Sequence, residues 1–169
     1  MANENNYFVF SYDAKYEMLV RNHVAYLRNR INEDKSISIN VVECDLYEII
    51  LSILVERGYL LKNFAMEKKS GSARVYQAIT HTLRLTQSDD QVIEYIKTHV
   101  KSGDIIFITG VGKAFPFIRS HTVLNNIFKA ADHCPVILFF PGTFDGQELN
   151  LFGALKDANY YRAVPLVED

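Results

Sequence analysis

The sequence predicts an α/β domain of three layers, a mostly parallel sheet of about five strands flanked by helices. Three observations lead there. Short apolar, β-branched or aromatic runs alternate with longer stretches of helical spacing. Two of these runs, DIIFIT at 104–109 and VILFF at 136–140, are unbroken, as expected of parallel strands covered on both faces. No strand fits between the second and third runs, so a helical insertion of about 60 residues joins them. No repeat, low-complexity tract or linker divides the chain, so residues 1–169 read as one domain with one core.

Each element has its own signal. Residues 7–10 are aromatic around Val9 and suit a first strand. From Ala14 the spacing turns helical: Tyr16, Leu19, Val20, His23, Val24, Leu27 and Ile31 fall at steps of three and four, predicting a helix to about Glu33. Residues 37–43 (ISINVVE) are β-branched and give a second strand. Asp45, with Glu48 three residues on, caps a helix over 46–56. That helix is apolar almost all round, so it needs cover on both sides, from neighbouring helices or from another protein. Three more helices follow at 59–69, 73–85 and 89–101, the last capped by Ser88 with Gln91. After strand three at 104–109, Ser120 caps a helix from 121 to about 131, and strand four follows at 136–140. Residues 146–155 read as a turn or short helix, and 160–167 as a fifth strand, placed at a sheet edge by Pro165.

Composition removes several function classes. Hydrophobic residues make up 49% and charged residues 22%, which favours folding over disorder. The formal net charge is −2, whereas proteins that grip nucleic acid show a basic surplus, so direct nucleic-acid binding is disfavoured. There is no charged-then-apolar leader. The longest apolar run, 49–55, is broken by Ser52 and falls far short of the ~20 residues of a spanning helix. The chain reads as soluble and cytosolic, with no membrane association. Cys44 and Cys134 read as buried free thiols of a reducing compartment, with a disulfide or a reactive thiol as the other reading. The five histidines and two cysteines show no zinc spacing, so neither a metal nor another cofactor is expected.

The candidate functional groups lie in two glycine-punctuated loops and the tail after them. Ligands of open α/β sheets bind beyond the carboxyl ends of the strands, and both loops leave such ends. Thr109-Gly110-Val111-Gly112-Lys113-Ala114 invites a phosphate-loop reading but departs from it. One residue instead of four separates the glycines, Ala114 stands where a hydroxyl residue would follow the lysine, and Phe115 occupies the third glycine of a dinucleotide fingerprint. A tight turn is the competing reading of Gly110 and Gly112. Arg119, Ser120 and His121 put a cation, a hydroxyl and an imidazole at a helix start, fit to hold an anion. The competing, structural reading makes Ser120 an N-cap and pairs Arg119 with an acid such as Asp145. Ser120 lacks the glycines of a nucleophile elbow, so no catalytic residue is assigned. In the 141–147 turn, Asp145 caps, pairs or binds a cation, with Gln147 beside it. The tail offers Lys156, Asp157, Tyr160 and Arg162; alternation puts Tyr160 and Arg162 on one side of a strand, Tyr161 and Ala163 on the other. Tyrosine and arginine are common interface anchors.

Taken together, these stretches resemble the BrxB family of the BREX bacteriophage-defence systems. That family is recognised by G-V-G-x-x-[FY]-P-[FY]-x-R-[ST]-H, then F-P-G-x-[YF]-D-G-Q-x-L-x-L-F-G, then K-D-x-N-Y-Y-R-A. The three motifs are met here from Gly110 to His121, from Phe140 to Gly153 and from Lys156 to Ala163. FVFSYDAKYEMLVRNHV and VVECDLYEIILSILVERG also fit, so the resemblance covers nearly the whole chain. It departs at the front, where members usually carry an extra N-terminal helical segment. The resemblance implies a small, non-methyltransferase accessory component with no settled enzymatic activity. Such a component works in complexes with other BREX proteins, the alkaline-phosphatase-like PglZ component first among them. The alternative function is a degenerate nucleotide- or phosphate-sensing domain using Gly110, Gly112, Lys113 and the helix start at Ser120.

Overall fold

The computed structural model describes residues 6–118, 125–127, 130, 131, 133–157 and 163–167. In chain order the elements are β1 (Tyr7–Tyr12), a 3-10 turn (Ala14–Tyr16), α1 (Glu17–Glu33), β2 (Asn40–Asp45) and α2 (Leu46–Glu56). Then come α3 (Leu60–Ser70), α4 (Ser72–Leu83), α5 (Gln91–His99), β3 (Asp104–Thr109), α6 (Val111–Ala114) and β4 (Val136–Phe144). β5 (Leu149–Leu151), β6 (Leu155–Asp157) and β7 (Val164–Pro165) close the described chain.

Five strands are parallel, in the order β2-β3-β4-β1-β7. The chain crosses the sheet one way from β1 to β2 and returns the other way from β2 to β3 and β4. Right-handed crossovers put connections of opposite direction on opposite faces. The core divides accordingly. On one face Val24, with Val20, Leu27 and Ile31, packs α1 on Val41, Phe107 and Phe139. On the other, Ile49 and Ile53 of α2, Ile79 and Leu83 of α4 and Val92 and Ile96 of α5 pack on Ile106, Ile108 and Leu138. β3 feeds both faces because successive side chains alternate.

The cover of α2 comes from its own chain. Leu46, Ile49, Ile50, Ile53 and Leu54 are all buried, each burial contributing roughly 1.5–3 kcal/mol before entropy is charged against it. Val55 alone of its large apolar side chains stays exposed, at 59%. Asp45 starts this helix as expected, its carboxylate accepting from the N–H groups of Tyr47 and Glu48.

Five expectations move, the first being strand four, which runs past Phe140 to Phe144 through residues expected to turn, because they pair with β5. β2 begins at Asn40 rather than 37, since its partner β3 begins at Asp104; Ile37 and Ile39 stay exposed. The cap of α5 is Asp90, not Ser88: its carboxylate accepts from Val92 and Ile93 and, by its other oxygen, from Thr86. Residues 146–155, expected to turn or form a short helix, contribute β5 and the start of β6, an antiparallel ladder on the end of β4. Of the fifth strand expected at 160–167, residues 160–162 lie outside the described residues, and among 163–167 the strand is Val164–Pro165, at the sheet edge on β1 where its proline is tolerated. Residues 125–127 and 130 are helical, with Ile127 buried, while the Ser120 cap lies outside the described residues.

The exposed edge at β2 is managed by one side chain. Asn32, on α1, accepts from the Val41 N–H at 2.6 Å and donates to the Val41 carbonyl at 3.0 Å. Its amide takes the place of a neighbouring strand and satisfies a buried residue whose outward groups no strand pairs.

Candidate functional site

β3 and β4 are parallel neighbours, so the two glycine loops leave the same rim of the sheet. They touch through Phe152. Its ring lies where a Cβ on Gly112 would be 3.2 Å away, and Pro141 is 3.5 Å from the same point. The Phe152 N–H donates to the Pro141 carbonyl at 2.9 Å, and the ring meets Phe115 edge-on. Phe152 has φ 55, a left-handed conformation a bulky residue adopts only when its surroundings hold it there. Gly142 permits the approach of β5, since a Cβ there would overlap the Asn150 carbonyl oxygen.

The Gly110 turn is filled by a side chain of its own protein. Gly110 has φ 72, and a Cβ would sit 2.8 Å from Asp45 Cγ and closer still to Oδ1. Asp45 ends β2 and Thr109 ends β3, and the two are register partners. The Asp45 carboxylate therefore has three tasks: it caps α2, packs on Gly110, and takes Lys113 Nζ at 2.6 Å. Lys113 also lies 3.7 Å from Glu48 and 5.4 Å over the Tyr47 ring. Both members of the Asp45–Lys113 pair are mostly sheltered, at 19% and 24% exposure.

Neighbouring strand ends are similarly engaged. Glu43 accepts from Thr109 Oγ1 at 2.9 Å and pairs with Arg28 at 2.6 Å. At the end of β1, Tyr12 donates to Glu17, which in turn holds Arg21. Burial, helped by the Glu17 carboxylate, pushes the Tyr12 phenol well above its ordinary value, so it stays a donor. After β4, Asp145 accepts from the N–H groups of Gln147 and Glu148 and so shapes the turn it begins. It also borders a crevice of about 460 Å³ with Phe10, Ser11 and Phe144.

Among the residues singled out in the sequence, Gly110 and Gly112 share one turn, and Gly112 meets Pro141 and Phe152 at the base of the β4–β5 hairpin, while Asp145 and Gln147 lie at the tip of that hairpin, Asp145 beside Phe10 and Ser11 of β1. Lys156 and Asp157 lie in β6. Arg119, Ser120, His121, Tyr160 and Arg162 lie outside the described residues. The sequence reading missed Asp45 and Glu43 as rim residues. Their signal was positional: each sits at the carboxyl end of a strand beside β3, where Lys113 and Thr109 emerge.

As chemistry, the carboxylates and cations of β2, α1 and α6 at this rim are paired with one another, while the buried Asn150 Oδ1 in β5 has no hydrogen-bond partner among the described residues. Cys44 is free and buried; burial, with a smaller push from Glu43, raises its thiol to about 12, which disfavours the nucleophilic thiolate. Among the described residues no group of three or more His, Cys, Asp or Glu side chains is placed to hold a metal ion. No described helix is long and apolar enough to cross a membrane.

The comparisons with known proteins agree with one another. The model of the family described as "BREX protein BrxB" matches residues 42–166. A BREX protein BrxB from Bacillus cereus (strain H3081.97) is 53% identical over 168 residues, covering 99% of this chain and 86% of the relative. A BREX protein BrxB from Escherichia coli O9:H4 (strain HS) is 30% identical over 169 residues, covering 99% of this chain and 81% of that protein. No solved structure matches the chain.

Proposed function

The chain belongs to the BrxB family of BREX proteins, and from that premise we propose that it is a non-catalytic subunit of a BREX phage-defence complex. Its task is to bind another BREX component, the PglZ-type protein first among them. The observation that carries this reading is the state of the Gly110–Ala114 turn. The lysine that would meet a phosphate is held by Asp45 and Glu48, and the space over Gly110 is taken by the Asp45 carboxylate. A turn braced in this way is a scaffold element, which speaks against nucleotide sensing by that turn.

The rim then works by contact. In this reading Arg119, His121, Asp145, Lys156 and Arg162 brace the loops or meet the partner, with Ser120, Gln147, Asp157 and Tyr160 beside them. The helix α2 is withdrawn from the docking surface, because its apolar side chains are buried by its own chain. The test is charge reversal, Arg119→Glu and Arg162→Glu, read by phage plating on cells carrying the full system and by co-purification of its components. The expected result is loss of assembly and of defence with an unchanged circular dichroism spectrum. Variants that assemble and defend normally remove the rim from the interface.

A further inference from the structure

The helical insertion carries a feature that the rim reading does not use. Helices α3 and α4 form a hairpin joined at Gly71, whose φ of 80 allows the reversal. Between them runs a groove of about 510 Å³. Its walls carry two cations, Lys62 on α3 and Arg74 on α4, with the His81 imidazole beside them on α4. From Arg57 to Arg84 the chain has six Lys or Arg residues and one acid, Glu67, within a protein of net charge −2. That acid is engaged by the Ser72 hydroxyl at 2.8 Å. Among the described residues neither Lys62 nor Arg74 has a carboxylate partner; Lys62 rests over the Tyr59 ring and Arg74 makes one long bond to Gln77.

The floor is the second observation. α3 buries a single residue, and that residue is Asn63, at 8% exposure. Its backbone bonds within the helix, but among the described residues its side-chain amide makes no hydrogen bond. That amide lines the groove and keeps contact with solvent there, so a partner's polar atom can reach it. Around it, Met66 and Ala78 supply apolar floor, and Tyr59 an aromatic wall.

We propose that the α3–α4 groove docks an acidic amphipathic segment of a companion protein. Carboxylates of that segment would meet Lys62, Arg74 and His81. Its apolar side chains would lie on Met66 and Ala78, and one of its polar groups would bond the Asn63 amide. A segment of chain fits better than duplex nucleic acid, which is too wide to enter between two packed helices. An apolar floor between cationic walls matches a helix or strand with acidic flanks. This inference rests on the reading of the protein as an interaction subunit and names a second surface for it.

The test uses the full chain and two kinds of probe. A fluorescein-labelled peptide of alternating Glu and Leu turns is compared by anisotropy with its Glu→Gln counterpart and with a 20-mer of single-stranded oligo-dT. The expected result is saturable binding of the acidic peptide that weakens as salt rises, and no binding of the other two. The double variant Lys62→Glu/Arg74→Glu should bind it about tenfold more weakly or worse, while Lys68→Glu, outside the groove lining, should bind as the parent does. Asn63→Leu should melt no lower than the parent yet bind more weakly, a split that a merely structural asparagine would not give. Failure of the peptide to bind, equal binding by the double variant, or binding of oligo-dT instead would overturn the proposal. In parallel, the double variant is mixed with the companion BREX proteins. If the parent captures a companion and the double variant captures it equally, the groove is wrong and the interaction reading stands. If the parent binds the acidic peptide but captures no companion, the interaction reading falls and the docking proposal falls with it.

Discussion

Gly110→Ala is the sharpest probe of the rim, because one added methyl group meets two separate obstacles. The backbone there has φ 72, and an L-residue in the left-handed region costs about 1–2 kcal/mol. The new Cβ would also strike the Asp45 carboxylate, forcing it off its cap of α2 and away from Lys113. Loss of the cap costs about 1 kcal/mol, and a partly sheltered ion pair adds up to about 1 more. The sum is about 2–4 kcal/mol. In a domain of this size that lowers the melting temperature by about 4–16 °C. Urea unfolding followed by circular dichroism measures it, together with Asp45→Ala and the double variant. Once Asp45 is an alanine, the steric obstacle is gone, and Gly110→Ala should cost only the backbone share of about 1–2 kcal/mol. An equal cost in both backgrounds, or a cost under about 0.5 kcal/mol in the parent, would refute the argument that Asp45 fills the turn.

Three further outcomes are expected. Asn32→Ala leaves the outward N–H and carbonyl of buried Val41 without partners, and should cost about 2–4 kcal/mol in urea unfolding and promote association through the bared β2 edge; a loss within 0.5 kcal/mol contradicts the edge-pairing account. Neither Cys44 nor Cys134 should react with Ellman's reagent in the folded protein at pH 8, whereas both should in denaturant. Because the folded Cys44 thiol is raised to about 12, its contribution to stability is complete below about pH 8.5 and is lost as pH rises from there towards 12; rapid native labelling of Cys44 would oppose this. Titration calorimetry with ATP and GTP at millimolar concentration should show no binding heat, since Lys113 is already paired, and saturable heat abolished by Lys113→Ala would restore the nucleotide reading.

The sequence was most legible where one local signal decided the element. The unbroken DIIFIT run gave β3 at both ends, and the Asp45 cap before an apolar helix gave α2 at both ends. It was least legible where pairing decided. Ile37 and Ile39 have strand propensity but no partner on β3, so β2 starts later. β5 and β6 have three residues each, too few for alternation to register, and they exist because Gly142 lets Asn150 come close. On α1 the helical spacing was right but the face was mixed. Tyr16 and Leu19 lie on an exposed stripe, while Val24 alone of the predicted set is fully buried, flanked by Val20, Leu27 and Ile31. The site was half visible. The glycines announced two turns on one rim, but the carboxylate that fills the first of them comes from 65 residues earlier, as Asp45 lies against Gly110. Only the parallel pairing of β2 with β3 brings them together.

The central claim is that this BrxB-family protein acts by binding another BREX component. Size-exclusion chromatography with light scattering tests it most directly, on the chain alone and mixed with each companion protein, beginning with the PglZ type. The account predicts a stable co-eluting complex whose mass equals the sum of its parts. A chain that elutes alone beside every companion would contradict it.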